Sequence, residues 1–371
     1  MNPFKKLGFL WSYSLLAVIL AGYYVGDSPW TWAGAFYVYC VVPLLDFLAG
    51  RDRSNISRDA FEATLTDRYF DVLLYSSVYL QYGLLLWGCY VLTTDPLTTI
   101  QKVRLMINIG LFSGTIINVA HELGHRSSRI AQFHARMALL SVSYMHFLIE
   151  HNRGHHVHVA TPADPATARK NQTLYAFWRQ SLVGSYRSAW QIEKKRLMKS
   201  GHSGWSRHND MIWFTILPVL LCAALMAGFS GWAGRLVWLV PVFFVVQSFV
   251  AILLLESINY IEHYGITRRE VAPGRYERVN PLHSWNASEL ISNLVLFQLQ
   301  RHSDHHAYAS RPYQVLRHFD ESPQLPSGYP TMILLALVPP LWFRVMNPRL
   351  ERWQQRACSA DEIAAVVRQF A

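Results

Sequence analysis

Long uncharged runs dominate the pattern of apolar and polar positions along this 371-residue chain. They fall at about 7–25, 30–48, 72–92, 105–121, 211–229 and 236–256. A helix needs roughly 17 to 25 predominantly apolar residues to cross a bilayer. The pattern therefore predicts about six transmembrane helices, two of them marginal in length, in a single all-α integral membrane domain covering 1–371. Two shorter apolar stretches, Met137–Ile149 and Met332–Phe343, suit interfacial, re-entrant or buried segments. Pro339 and Pro340 interrupt the second. The first run has no small-residue cleavage site after it and exceeds the roughly 7 to 15 apolar residues of a signal peptide. It reads as a retained helix, with the N-terminus cytosolic behind Lys5 and Lys6.

Basic residues orient the spans. Arg51, Arg53, Arg58 and Arg68 lie between the second and third, and 151–210 holds ten Lys/Arg against three Asp/Glu. By the excess of positive charge in cytoplasmic loops, both termini and the large polar segments face the cytosol, with Lys102 and Arg104 a minor exception. Composition agrees: apolar residues are 51% and charged residues 16%, against about 25% charged in ordinary soluble domains. The net charge of +10 has a plain source in these loops and their attraction to anionic membrane lipid. An acidic protein partner is the alternative, and nothing points to nucleic acid. Cys40, Cys89, Cys222 and Cys358 include no C-x-x-C pair, which leaves no zinc ribbon and no iron–sulfur ligand set.

The polar positions that change the picture are histidines. Nine of the sixteen fall in four compact groups: His121 and His125; His151, His155 and His156; His263; and His302, His305 and His306. Residues three and four apart share a helix face, so each multiple group can turn imidazoles toward one point. His121 closes one apolar run and His263 follows another, which places the site at the cytosolic membrane boundary. Read alone, HELGH at 121–125 matches the H-E-x-x-H of zinc peptidases, with Glu122 as base. Such a site takes three protein ligands and a water, and leaves at least six grouped histidines without a task. Nine imidazoles suit two metal ions of four or five ligands each, although imidazole alone does not choose among iron, copper and zinc.

The order H-x3-H, H-x3-H-H and H-x2-H-H resembles the membrane-bound di-iron superfamily of desaturases and hydroxylases. The longer strings "HNRGHHVHVATPADPATAR", "NYIEHYG", "HSWN", "LQRHSDHHA" and "LRHFDESPQLPSGYPTMILLALVPPLWFRVMNPR" are similar to bacterial alkane 1-monooxygenases, with xylene monooxygenase the nearest relative that could be confused with them. The resemblance runs from about Asp46 to Arg349. It implies two non-haem irons held by His121, His125, His151, His155, His156, His263, His302, His305 and His306, with O2 as co-substrate. It further implies terminal hydroxylation of medium- to long-chain alkanes in a bacterial inner membrane. Electrons would come from a rubredoxin reduced by an NAD(P)H-dependent reductase. The chain lacks the cysteines of a fused rubredoxin, so a separate donor is expected.

Metal-bound imidazoles usually give their second N–H to a carboxylate or carbonyl. Glu122, Glu150, Glu262 and Asp304 adjoin grouped histidines and are candidates for that role, with direct ligation by one of them also open. Outside the groups lie His134, His146, His158, His202, His208, His283 and His318, of which His283 and His318 are the better candidates to buttress the ligands. Arg153, Arg169, Lys170, Lys194, Lys195, Arg196, Arg301 and Arg311 could form a basic docking face or a solvated surface beside lipid. An alkane offers no polar handle, so its channel must be apolar and bounded by the spans. A desaturase, a zinc peptidase and a metal transporter remain alternatives. The transporter is disfavoured because its ionisable residues should lie deep in several spans.

Overall fold

The computed structural model describes residues 1–25 and 30–356; Cys358 lies outside them. Helix α1 (Pro3–Tyr24) is followed by α2 (Ala33–Ala49), α3 (Tyr69–Thr94) and α4 (Thr99–Gly124). After α5 (Arg129–Leu140) and α6 (Leu174–Lys199) come α7 (Asp210–Ala233) and α8 (Leu239–His263). Of these, α1, α3, α4, α7 and α8 are long and apolar enough to cross a membrane. The protein is a multi-pass membrane protein.

Where the apolar pattern marks six spans, α2 is the exception, a shorter apolar helix of 17 residues. It contains a π-helical stretch, Tyr37–Val41, and ends in a turn carrying the buried Asp46. That carboxylate accepts from the Ser292 backbone N–H at 2.9 Å, which ties the last turn of the helix to the cap.

Polar contacts sort the helix ends onto two sides. On one side Lys5 pairs with Asp52 at 2.5 Å, Lys6 with Asp67, and Arg126 at the end of α4 with Asp71 at the start of α3. On the other, Tyr23 bonds Asp95, and Arg235 donates to the Thr93 carbonyl at 3.0 Å. Local signals set these ends. Thr98 and Gln101 form a reciprocal capping box at the start of α4, and Asn209 caps α7, which closes on Gly234 at φ 62°.

Within lipid, apolar burial does not drive helices together, and close approach depends on small residues. Gly110 and Gly114, one turn apart on α4, face Val250 and Leu254, one turn apart on α8. A Cβ at Gly110 would sit 2.6 Å from Val250 Cβ, and one at Gly114 would sit 2.9 Å from Leu254 Cδ1. Gly88 of α3 leaves the same kind of room for Phe243.

The remaining chain forms a cap on the side where α4 and α8 end. It contains a short antiparallel pair, β1 (Glu270–Ala272) and β2 (Arg275–Tyr276), then α9 (Leu290–Val295) and α10 (His302–Ala307). Helices α11 (Tyr329–Ala336) and α12 (Pro339–Arg356) follow. Met332–Phe343 is thus divided between two helices, and Met137–Ile149 covers the end of α5, a turn and the start of the helix Phe147–Glu150. Neither is a candidate span.

Substituting Gly110→Leu should lower stability in detergent by about 1–3 kcal/mol through overpacking. Gly83→Leu should be nearly neutral, since nothing lies within 4 Å of a Cβ there. Thermal unfolding of the two variants checks the contrast.

Candidate metal centre

Four elements deliver the grouped histidines to one place in the cap. His121 and His125 come from the last turn and C-cap of α4, and His263 is the last residue of α8. His302, His305 and His306 ride on α10, and His151, His155 and His156 lie on and beside a π-helical turn, His151–His155. Their ring nitrogens form two sets, in each of which one donor atom per residue lies within 4.8 Å of the others. His121, His125, His151, His156 and His305 make the first; His155, His263, His302 and His306 make the second.

The partition differs from simple helical spacing, and the backbone explains why. In the π turn the His156 N–H reaches back to the His151 carbonyl, an i→i+5 bond. That extra residue brings the His156 ring edge-on to His151 and turns His155 aside toward the other set. On α10, successive residues project about 100° apart. His302 and His306 therefore share one set while His305, beside His306, enters the other.

In the first set the Nε2 atoms of His156 and His151 are 3.0 Å apart, those of His151 and His125 3.2 Å, and those of His305 and His156 3.2 Å. In the second, His302 Nε2 lies 2.8 Å from His306 Nε2 and 3.2 Å from His263 Nε2, and His155 Nε2 lies 3.3 Å from His306 Nε2. Histidine–metal bonds are about 2.0–2.1 Å, which places right-angled ligands about 3.0 Å from one another. The spacings fit nitrogens gathered around one ion in each set.

Burial supports the same chemistry, because a metal ligand must be a neutral imidazole. Burial pushes His151, His156, His302, His305 and His306 well below the ordinary histidine range, and His125 down to about 3. His155 goes the other way. Burial lowers it too, but the charge and hydrogen bond of Asp164 outweigh that and raise it.

Asp164 is the residue that sequence reasoning passed over. Its Oδ2 lies 2.9 Å from His155 Nδ1, the nitrogen turned away from the set, and accepts from Thr167 Oγ1 at 2.5 Å. This is the carboxylate–histidine arrangement that fixes a ligand's tautomer. Its only sequence signal is its place in TPADPATAR, a turn nine residues beyond His155.

The four carboxylates chosen by adjacency behave differently from one another. Glu262 Oε2 lies 3.1 Å from His302 Nε2, while its Oε1 accepts from Tyr329 Oη at 2.6 Å. Glu150 is buried near His155 and Asp164, with Oε1 unpartnered. Glu122 instead pairs with Arg126 at 3.2 Å. Asp304 accepts from Arg311 at 2.5 and 2.7 Å and from the Arg317 backbone at 2.9 Å. Neighbours of a ligand on a helix point elsewhere, and for Glu122 and Asp304 elsewhere is an arginine.

Two arginines expected on a docking face are thereby withdrawn from it. Arg311 belongs to Asp304, and the buried Arg301 donates to the carbonyls of Leu316 at 2.7 Å and Ser54 at 3.0 Å. Arg153, Arg169, Lys170, Lys194, Lys195 and Arg196 are exposed. His283 contacts Glu277, and His318 contacts Ser288 and Asp320, so both tie loops together and neither touches a grouped histidine. His158, His202 and His208 are exposed, and His134 and His146 are buried apart from the two sets.

Two openings reach the region. A polar one, bordered by Gln132, Arg136, Asn152 and Arg153, touches the half-buried His125. An apolar pocket between α1, α2, α4, α8 and α11 is lined by Leu15, Val38, Leu254, Leu255 and Ile333, and includes Tyr329 in its wall.

A model of the fatty acid desaturase family matches residues 103–336, which contain all nine histidines. The chain is 42% identical to alkane 1-monooxygenase 2 of Alcanivorax borkumensis over 96% of its length and 93% of that protein's. It is also 42% identical to alkane 1-monooxygenase 1 of Pseudomonas aeruginosa, over 95% and 93%. The chain belongs to the fatty acid desaturase family, on its alkane 1-monooxygenase branch. The hydroxylase component of a xylene/toluene monooxygenase of Pseudomonas putida is more distant, at 30% identity over 94% of the chain and 91% of that protein.

Asp164→Asn should weaken metal binding by roughly 10- to 100-fold, the usual effect of removing the partner of a metal-bound histidine. His202→Ala, at an exposed position, should leave it unchanged. Metal content after graded chelation reads both.

Proposed function

We propose that the protein is an alkane 1-monooxygenase that converts medium- to long-chain n-alkanes to primary alcohols with O2. The observation that carries this reading is the pair of buried histidine sets beside a pocket without charged lining. The nine histidines hold two iron ions, which would supply the reductive activation of O2. The hydroxylation consumes one O2, two electrons and two protons per alkane, and releases one water.

The protein's own contribution is to bind, orient and keep water out. An alkane gains its affinity from apolar contact alone, which Leu15, Val38, Leu254, Leu255 and Ile333 provide. Enclosure between spans presents the chain end-on and protects the reacting carbon from water. Glu262 and Tyr329 stand where the pocket wall meets the second histidine set. Asp164 keeps the His155 ring oriented.

Electrons come from a rubredoxin, itself reduced by an NAD(P)H-dependent reductase. The chain has no C-x-x-C pair and no G-x-G-x-x-G string with which to supply them itself. The half-buried His125 and the exposed Arg153 beside the polar opening support an approach of the donor from that side. On this reading the cap and both termini are cytosolic and the spans lie in the bacterial inner membrane.

Purified protein from iron-replete cells should contain two irons per chain by ligand counting. Given octane, O2 and NADH alone it should make no product; with rubredoxin and its reductase it should yield 1-octanol. One bound zinc and no iron would sink the di-iron reading, and 1-octene would move the enzyme to the desaturases.

A further inference from the structure

Glu262 stands apart from the other carboxylates around the centre. It is 1% exposed, on the last turn of α8, one residue before His263. A carboxylate in that position needs a positive partner or a set of donors, because an isolated buried charge is expensive. Glu122 and Asp304 have arginines and Asp164 has His155 Nδ1 with Thr167. Among the described residues Glu262 has a single hydroxyl donor, Tyr329, on Oε1, and its other side-chain contact is His302.

The contact with His302 is made at Nε2, the nitrogen that faces His263 and His306, and not at Nδ1 on the far side of the ring. Around this one nitrogen stand His306 Nε2 at 2.8 Å, His263 Nε2 at 3.2 Å and Glu262 Oε2 at 3.1 Å. The carboxylate oxygen occupies the same kind of position as the neighbouring ligand nitrogens. An imidazole that turns its Nε2 lone pair toward a metal has no proton there to give the carboxylate. A cation between them satisfies all of these atoms at once.

We propose that Glu262 is a tenth metal donor, an oxygen ligand that joins His155, His263, His302 and His306 around the second ion. The inference rests on the reading of the two histidine sets as a two-metal centre. It gives each ion five protein donors: five nitrogens in the first set, four nitrogens and one anionic oxygen in the second. The second ion is then the harder, more electron-rich site, since carboxylate oxygen favours the higher-charged metal. Tyr329 acts as a positioning residue. Its hydroxyl holds Oε1 at 2.6 Å, which leaves Oε2 for the ion, and its ring forms part of the apolar pocket wall.

Mössbauer spectra of the reduced, iron-57-loaded protein test this without substrate or donor protein. The native protein should show two unequal iron signals, one for each donor set. Glu262→Gln keeps the shape of the side chain but not the anionic oxygen. It should shift one signal and leave the other in place, and a chelator should remove the affected iron roughly 10- to 100-fold more readily. Tyr329→Phe should move the same signal by a smaller amount. The unmoved signal reports that the fold and the first set are intact in Glu262→Gln. Two unchanged signals with unchanged chelation in Glu262→Gln would overturn the assignment, and so would equal displacement of both. A failure to produce 1-octanol bears on the substrate and not on this ligand.

Discussion

Nine electron pairs on imidazole nitrogen converge in a volume from which water is largely excluded, and the rest of the structure answers to that constraint. Ring nitrogens 2.8 to 3.3 Å apart repel one another when all turn their lone pairs inward. Helix ends that bring them together hold that arrangement at a loss unless cations occupy the two foci. Metal binding at these sets would be linked to folding of the cap, as in other sites whose ligands have no reason to meet without their ion.

The membrane and the cap divide the remaining work. Lipid-facing helices need no polar apparatus and pack through Gly88, Gly110 and Gly114. The cap, by contrast, is thick with ion pairs and backbone contacts that lock loops bearing histidines. Asp46 on Ser292, Arg301 on Ser54 and Leu316, and Asp304 on Arg311 each join segments distant in sequence or brace a ligand-bearing helix. The two openings face different phases. Polar side chains meet the half-buried His125, whereas leucine, valine and isoleucine lead to Tyr329 and Glu262.

Much of this was legible in the residue order because it depends on local periodicity. Uncharged runs of spanning length reveal helices without tertiary information, and histidines three and four apart stand out against any background. What escaped was whatever depends on a departure from α geometry or on a partner far away. The π turn at His151–His155 divides His151 from His155, which an α-helical reading joins. Asp164 contacts His155 only because a turn folds back. Glu122 and Asp304 looked like partners of ligands by adjacency, but adjacency on a helix means divergence by about 100°.

Helix α10 carries a consequence of another kind. In six residues it sends His302 and His306 to one histidine set and His305 to the other. A rigid body of that size has only a few ways to move, and each of them displaces both foci together. The two histidine sets therefore cannot drift independently, and a change that slides or tilts α10 to improve one must alter the other. The separation of the two foci is a single mechanical variable, and over sequence divergence it should be retained even where the surrounding loops are rebuilt.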